Sequence, residues 1–196
     1  STLMSYCNFR PGSTSDIDWV EFYYLGENAV GKRGIETTSS FTGSINIQYS
    51  SIHDTEDGGA YFAGGAGTTV FSNNVMWNVN TAAVASVYPL QFTSSSNPMT
   101  ISGNVIIGAK GNTGGTTGYC INYATPESTF TNNTIAGFDA GSTNNSALQF
   151  SNSSNAVIGT FSGNVIHSNS TGGLYFSSSS AAVVGTIGTT TIYRNN

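Results

Sequence analysis

The sequence predicts an all-β solenoid of about six to seven coils, each built from three short strands. Three observations point there. A short phrase recurs, as FSNNVM at 71–76, ISGNVI at 101–106, FTNNTI at 130–135 and FSGNVI at 161–166, with weaker copies IQYSSI at 47–52 and IGTTTI at 187–192. Its leading apolar residues fall at 47, 71, 101, 130, 161 and 187, steps of 24 to 31 residues, and a period in that range is the signature of stacked units. No stretch sustains the i, i+3, i+4, i+7 apolar spacing of a helix, while 24 glycines and abundant Ser, Thr and Asn favour repeated turns.

In chain order, Met4-Ser-Tyr-Cys-Asn-Phe9 aligns with Ile47-Gln-Tyr-Ser-Ser-Ile52, which starts a first coil near residue 3. Residues 10–46 then read as an irregular, charged insertion in that coil. From residue 47 onward each phrase is followed by a turn and an alternating strand: 60–62, 90–92, 121–123, 148–150 and 174–176. A further strand leads into the next phrase, as at 156–161 and 182–187. The 196 residues form one domain, expected to be a segment of a longer solenoid or assembly.

Within the phrase, the first and last apolar residues stand five apart, and strict alternation would send them to opposite faces. A bend with one residue in the left-handed region restores both to the core, and Asn and Gly accept that conformation best. The fourth position holds Asn74, Asn104, Asn133 and Asn164. Stacked about 4.8 Å apart, their amides are expected to form a structural ladder. Cys7, Ser50 and Thr190 fall at that position in the flanking coils, so the ladder is expected to stop there.

The three-strand coil, the Asn at the bend and the aromatic stack of Phe62, Phe92, Tyr123, Phe150 and Phe176 resemble the right-handed parallel β-helix of the pectin-lyase-like superfamily. The resemblance covers most of the chain and is strongest over 44–192. It implies the fold. It does not select a function, because polysaccharide lyases and hydrolases, tailspikes, adhesins and passive rods share this architecture.

Function must therefore come from residues. Charged residues are 8% of the chain against roughly 25% in ordinary domains, and eleven of the fifteen precede residue 61. A net charge of −5 with no basic stretch leaves no footprint for nucleic acid, and no apolar run reaches membrane-spanning length. Asp16, Asp18, Asp54 and Asp57 are the candidate catalytic carboxylates for carbohydrate hydrolysis, which needs two carboxyls on one face, with Arg10 and His53 nearby. Asp16, Asp18 and Asp54 could alternatively converge on calcium. The plainer reading is that Asp and Gly in 53–59 serve turns.

His53 and Trp77 are candidate ligand-binding residues, the indole as a sugar-stacking platform or as an ordinary outward side chain. They share an outward row running Arg10, His53, Trp77, Ile107, Ala136, His167, Tyr193, which keeps the two histidines about 19 Å apart. Cys7 and Cys120 fall in different coils, and no disulfide is expected between them. Four Asn-x-Ser/Thr sequons begin at 132, 144, 152 and 169, a number that chance supplies in this composition. An ice-binding face would need a regular Thr-x-Thr ladder, which the sequence does not display.

Two functions from different classes follow. The first is a non-catalytic structural or adhesive β-helix of an extracellular, cell or virion surface, serving as fibre, rod or adhesin segment. The alternative is a carbohydrate-active β-helix, a polysaccharide lyase or glycoside hydrolase with its carboxylate site in the first two coils. No cofactor is expected beyond the calcium option. The uncapped ends are expected to meet a further protein chain or segment, and a polysaccharide is the other expected partner.

Overall fold

Parallel strands cannot be joined by tight hairpins, so each must be followed by a return path of a dozen residues or more. The 24–31-residue period supplies that path, and the computed structural model of the chain uses it: every strand pairing among the described residues is parallel. The structure describes residues 5–27, 32–56, 58–63, 67–79, 89–93, 99–108, 128–138, 146–152, 157–170, 172–178 and 183–195.

Four sheets make a β-solenoid, with no helix among the described residues. The first sheet has seven strands: Thr14–Asp18, Ser44–Gln48, Thr69–Ser72, Met99–Ser102, Ser128–Thr131, Val157–Ser162 and Val183–Ile187. The second also has seven: Glu21–Tyr23, Ser51–His53, Val75–Val79, Val105–Gly108, Thr134–Ala136, Val165–His167 and Thr191–Tyr193. A third pairs Cys7–Phe9, Ile35–Thr37, Ala60–Ala63 and Leu90–Thr93, and a fourth pairs Ser146–Asn152 with Gly172–Ser178.

The recurring phrase straddles the corner between the first two sheets. Its first apolar residues form the column Ile17, Ile47, Phe71, Ile101, Phe130, Phe161, Ile187, and its last ones the column Phe22, Ile52, Met76, Ile106, Ile135, Ile166, Ile192. Both columns are buried from the 47–52 phrase through the 161–166 phrase. Each such side chain contributes about 1.5–3 kcal/mol by burial, so these stacks carry the core. The corner residue between them has positive φ at level after level: Trp19, Tyr49, Asn73, Gly103, Asn132 and Gly163, at 50° to 68°.

The ladders correct the reading of the first coil. Ile17 pairs with Ile47 and Phe22 with Ile52, so the phrase there is IDWVEF at 17–22, thirty residues ahead of the next. Residues 10–46 are thus not an irregular insertion: they contain strands of all three larger sheets, Thr14–Asp18, Glu21–Tyr23 and Ile35–Thr37. Cys7 belongs to the third sheet opposite Ile35, and Val20 holds the position assigned to it. Tyr23, not Arg10, precedes His53 in the outward row. The misalignment has a physical cause. Trp19 and Tyr49 stand where the next four levels place Asn or Gly, which erased the bend signature that identifies the phrase.

The outer face of the first sheet carries stacked hydroxyls, though not a regular Thr-x-Thr ladder. Thr100, Thr129, Thr160 and Thr186 align in one column, and Ser102, Thr131 and Ser162 in the next but one. The hydroxyl column ends at Val70, beyond which come Asn46 and Asp16.

Candidate functional site

The corner that shapes the core also shapes what the surface can present. On its inner side Asn74, Asn104, Asn133 and Asn164 are buried. Each Nδ2 donates to a carbonyl of the preceding coil, from Asn74 to Ile47 at 2.9 Å through Asn164 to Phe130 at 3.1 Å. The Nδ2 groups of Asn104 and Asn133 also donate to the Oδ1 of the next asparagine, at 2.9 and 3.1 Å. The backbone N–H groups of Asn74, Asn104 and Asn133 donate to that Oδ1 as well, at 3.0–3.1 Å. At the N-terminal end Ser50 donates its N–H to Asn74 Oδ1, and its hydroxyl receives the N–H of Val20. A second buried amide run had no counterpart in the sequence reading. Asn169 Nδ2 donates to Asn195 Oδ1 at 2.7 Å, and Asn169 Oδ1 receives the Phe138 N–H at 3.0 Å. Asn169 therefore cannot serve as an exposed sequon, whereas Asn132 stands exposed at the corner.

Among the described residues, three titratable side chains meet on the outer face of the second sheet. His53 is nearly buried, with its Nδ1 2.8 Å from Asp54 Oδ2 and its Nε2 3.0 Å from Glu21 Oε1. Its ring stacks on Trp77, centroids 4.0 Å apart and planes 8° apart, and Tyr23 lies on the other side at 6.0 Å and 16°. Burial pulls the imidazole pKa down, but the hydrogen bonds that its N–H groups donate to Asp54 and Glu21 outweigh it and hold it above the ordinary histidine value. Asp54 also accepts from the Asn78 amide; that bond first, and His53 second, hold its carboxyl below the usual range. The arrangement is an imidazole clasped by two carboxyl groups across adjacent coils, a setting that favours its protonated form. Both imidazole nitrogens are occupied and one indole face is covered, so His53 and Trp77 serve each other before any ligand.

The other candidate carboxylates do not join this group. Asp16 and Asp18 project from the outer face of the first sheet, where Asp16 Oδ1 accepts from Asn46 Nδ2 at 2.6 Å. Asp54 lies beyond the end of a second-sheet strand, in the αL conformation at φ 50°. Among the described residues no three His, Cys, Asp or Glu side chains gather as metal ligands. Asp57 and Cys120 lie outside the described residues; Cys7 is a free thiol whose pKa burial raises.

Two features of the first coils went unanticipated. Glu36 is 3% exposed, with Oε2 accepting the Arg33 N–H at 3.1 Å, while the Arg33 guanidinium lies 4.8 Å over the Tyr61 ring. Trp19 and Tyr49, successive members of the corner row, stack with centroids 4.9 Å apart and planes 11° apart. Alignment on Ile17 rather than Met4 would have exposed that pair in the sequence.

No family model matches the chain, and neither does any curated protein or solved structure.

Proposed function

We propose that this chain is a non-catalytic structural or adhesive β-helix of an extracellular, cell or virion surface, a fibre, rod or adhesin segment. In this reading it is a right-handed, pectin-lyase-like solenoid of six to seven coils with three strands in each. The observation that carries it is the outer face of the first sheet, where hydroxyls replace charge along columns from Thr100 to Thr186 and from Ser102 to Ser162. A rod displaying neutral hydroxyls remains hydrated and presents one repeating surface along its length. The exposure of Ile187 (66%) and Ile192 (48%), the outermost members of the two core columns, supports an apolar contact with a partner protein there.

A second reading, a carbohydrate-active β-helix, draws on the meeting of Glu21, His53 and Asp54. Against it, general acid–base work needs one carboxyl protonated and one ionised, whereas here both face one imidazole. Replacement of Asp16, Asp18, Asp54 and Asp57 by Asn, with turnover assayed on acidic and neutral polysaccharides, separates the two. The structural reading expects no turnover by either protein; turnover that the four substitutions abolish sinks it.

A further inference from the structure

The corner row is exposed at levels well inside the solenoid, as at Asn73, Asn132 and Gly163. The exposure of Trp19 (79%) and Tyr49 (46%) thus belongs to the corner itself and not simply to a place near one end. Backbone need does not explain these residues. The left-handed conformation suits Gly and Asn and is an outlier for bulky side chains, yet Trp19 has φ 60° and Tyr49 φ 50°. Such strain persists where function holds it. The two side chains gain no burial in return. What they gain is order: Tyr49 backs one face of the indole, and among the described residues no ring covers the other.

The geometry points to a saccharide-binding platform at Trp19 and Tyr49, taking an uncharged pyranose polysaccharide; this rests on the adhesive reading and names its ligand. A preformed flat aromatic face matches the apolar face of a pyranose ring, and Asp18 and Gln48 beside the corner offer acceptors and donors to hydroxyls. Charge decides the class. Asp16 and Asp18 are both exposed on the strand that runs into the platform and repel an anionic polymer. The parallel rings form a plane, not the cage that a quaternary ammonium requires.

Trp77→Phe leaves Trp19 as the sole tryptophan and therefore as the reporter. Titration of this protein with soluble uncharged glucan and mannan, and with polygalacturonate as the acidic arm, should shift its emission with an uncharged polymer only. Trp19→Ala in the wild-type background, followed by calorimetry, should weaken that binding by about 30-fold, with Tyr49→Ala smaller, since a central Trp dominates such contacts. Circular dichroism and the melting midpoint must stay near wild type for the comparison to count, and Trp19→Phe provides a gentler variant if they do not. Absence of binding to both uncharged polymers, preference for polygalacturonate, or self-association that Trp19→Ala abolishes overturns the platform. Binding that Trp19→Ala leaves intact overturns it while sparing the adhesive reading, and turnover of a bound polymer defeats the non-catalytic reading instead.

Discussion

His53 lies flat against Trp77, ring centroids 4.0 Å apart, while Glu21 and Asp54 hold its two nitrogens. The contact links three successive strands of the second sheet, and its strength depends on the charge of one imidazole.

That dependence has a definite sign. The folded-state pKa of His53 is raised, so its stabilisation is complete below the unfolded value of about 6.5 and is lost as pH climbs through the folded value. The Asp54 pKa is lowered, so its share is present above about 3.9 and is lost as pH falls through the folded value. The first coils should be most stable between about pH 4 and 6.5. Melting midpoints from pH 5 to 9 should fall for the wild type and stay flatter for His53→Gln. Parallel curves for the two proteins would contradict the clasp.

The interior makes a larger demand at Asn133. Its Oδ1 accepts the N–H and the Nδ2 of Asn104, and its Nδ2 donates to the Ile101 carbonyl and to Asn164. Asn133→Ala strands those buried groups, each at about 1–3 kcal/mol, so a loss of about 3 kcal/mol or more is expected. Asn73→Gly, one residue before the ladder, exposed and at a φ of 55° that Gly accepts, should change stability by about 0.5 kcal/mol or less. Urea denaturation and amide hydrogen exchange at Asn104 measure both, and equal effects would rule out the ladder as the larger contributor.

The contrast between these sites says what a sequence can and cannot disclose. Asn74 to Asn164 were legible because one stereochemical problem, the corner, has the same solution at four levels. Trp19 and Tyr49 hid the same corner, since aromatic residues do not advertise positive φ, and the first coil was therefore set against Met4 instead of Ile17. The hydroxyl column was missed because Thr100, Thr129, Thr160 and Thr186 are brought into line only by strand pairing across intervals of unequal length. The His53 clasp joins residues 32 apart in sequence, and nothing local specifies that Glu21 rather than Asp16 should face the imidazole.

Backbone spacing imposes a further condition at Gly43. A Cβ there would run into the Ser13 carbonyl, and one at Gly67 into the Gly43 carbonyl, so the chain between the third and first sheets passes too closely for any side chain. Neither obstacle is a flexible side-chain tip. Gly43→Ala should cost about 2–3 kcal/mol through displaced backbone. Gly12→Ala, with open space around the new methyl but φ +80°, isolates the conformational part of such a penalty. If Gly43→Ala melts no earlier than Gly12→Ala, the close approach is not what fixes Gly43.

The corner offers a last test, because its two occupant types can be exchanged. Tyr49→Asn gives the αL position a residue that accepts it, relieving strain of about 1–3 kcal/mol. The same change removes the ring contact with Trp19, which contributes about 0.5–1.5 kcal/mol. The strain is the larger quantity, so Tyr49→Asn should be neutral or more stable by up to about 1 kcal/mol in urea denaturation. The reciprocal Asn73→Tyr places an aromatic at φ 55° and should destabilise, even though Tyr49 on the preceding level offers it a stacking partner. A marked loss of stability in Tyr49→Asn would mean that the aromatic pair holds the first two coils together, and the strain at Trp19 and Tyr49 would then have a structural cause rather than a ligand.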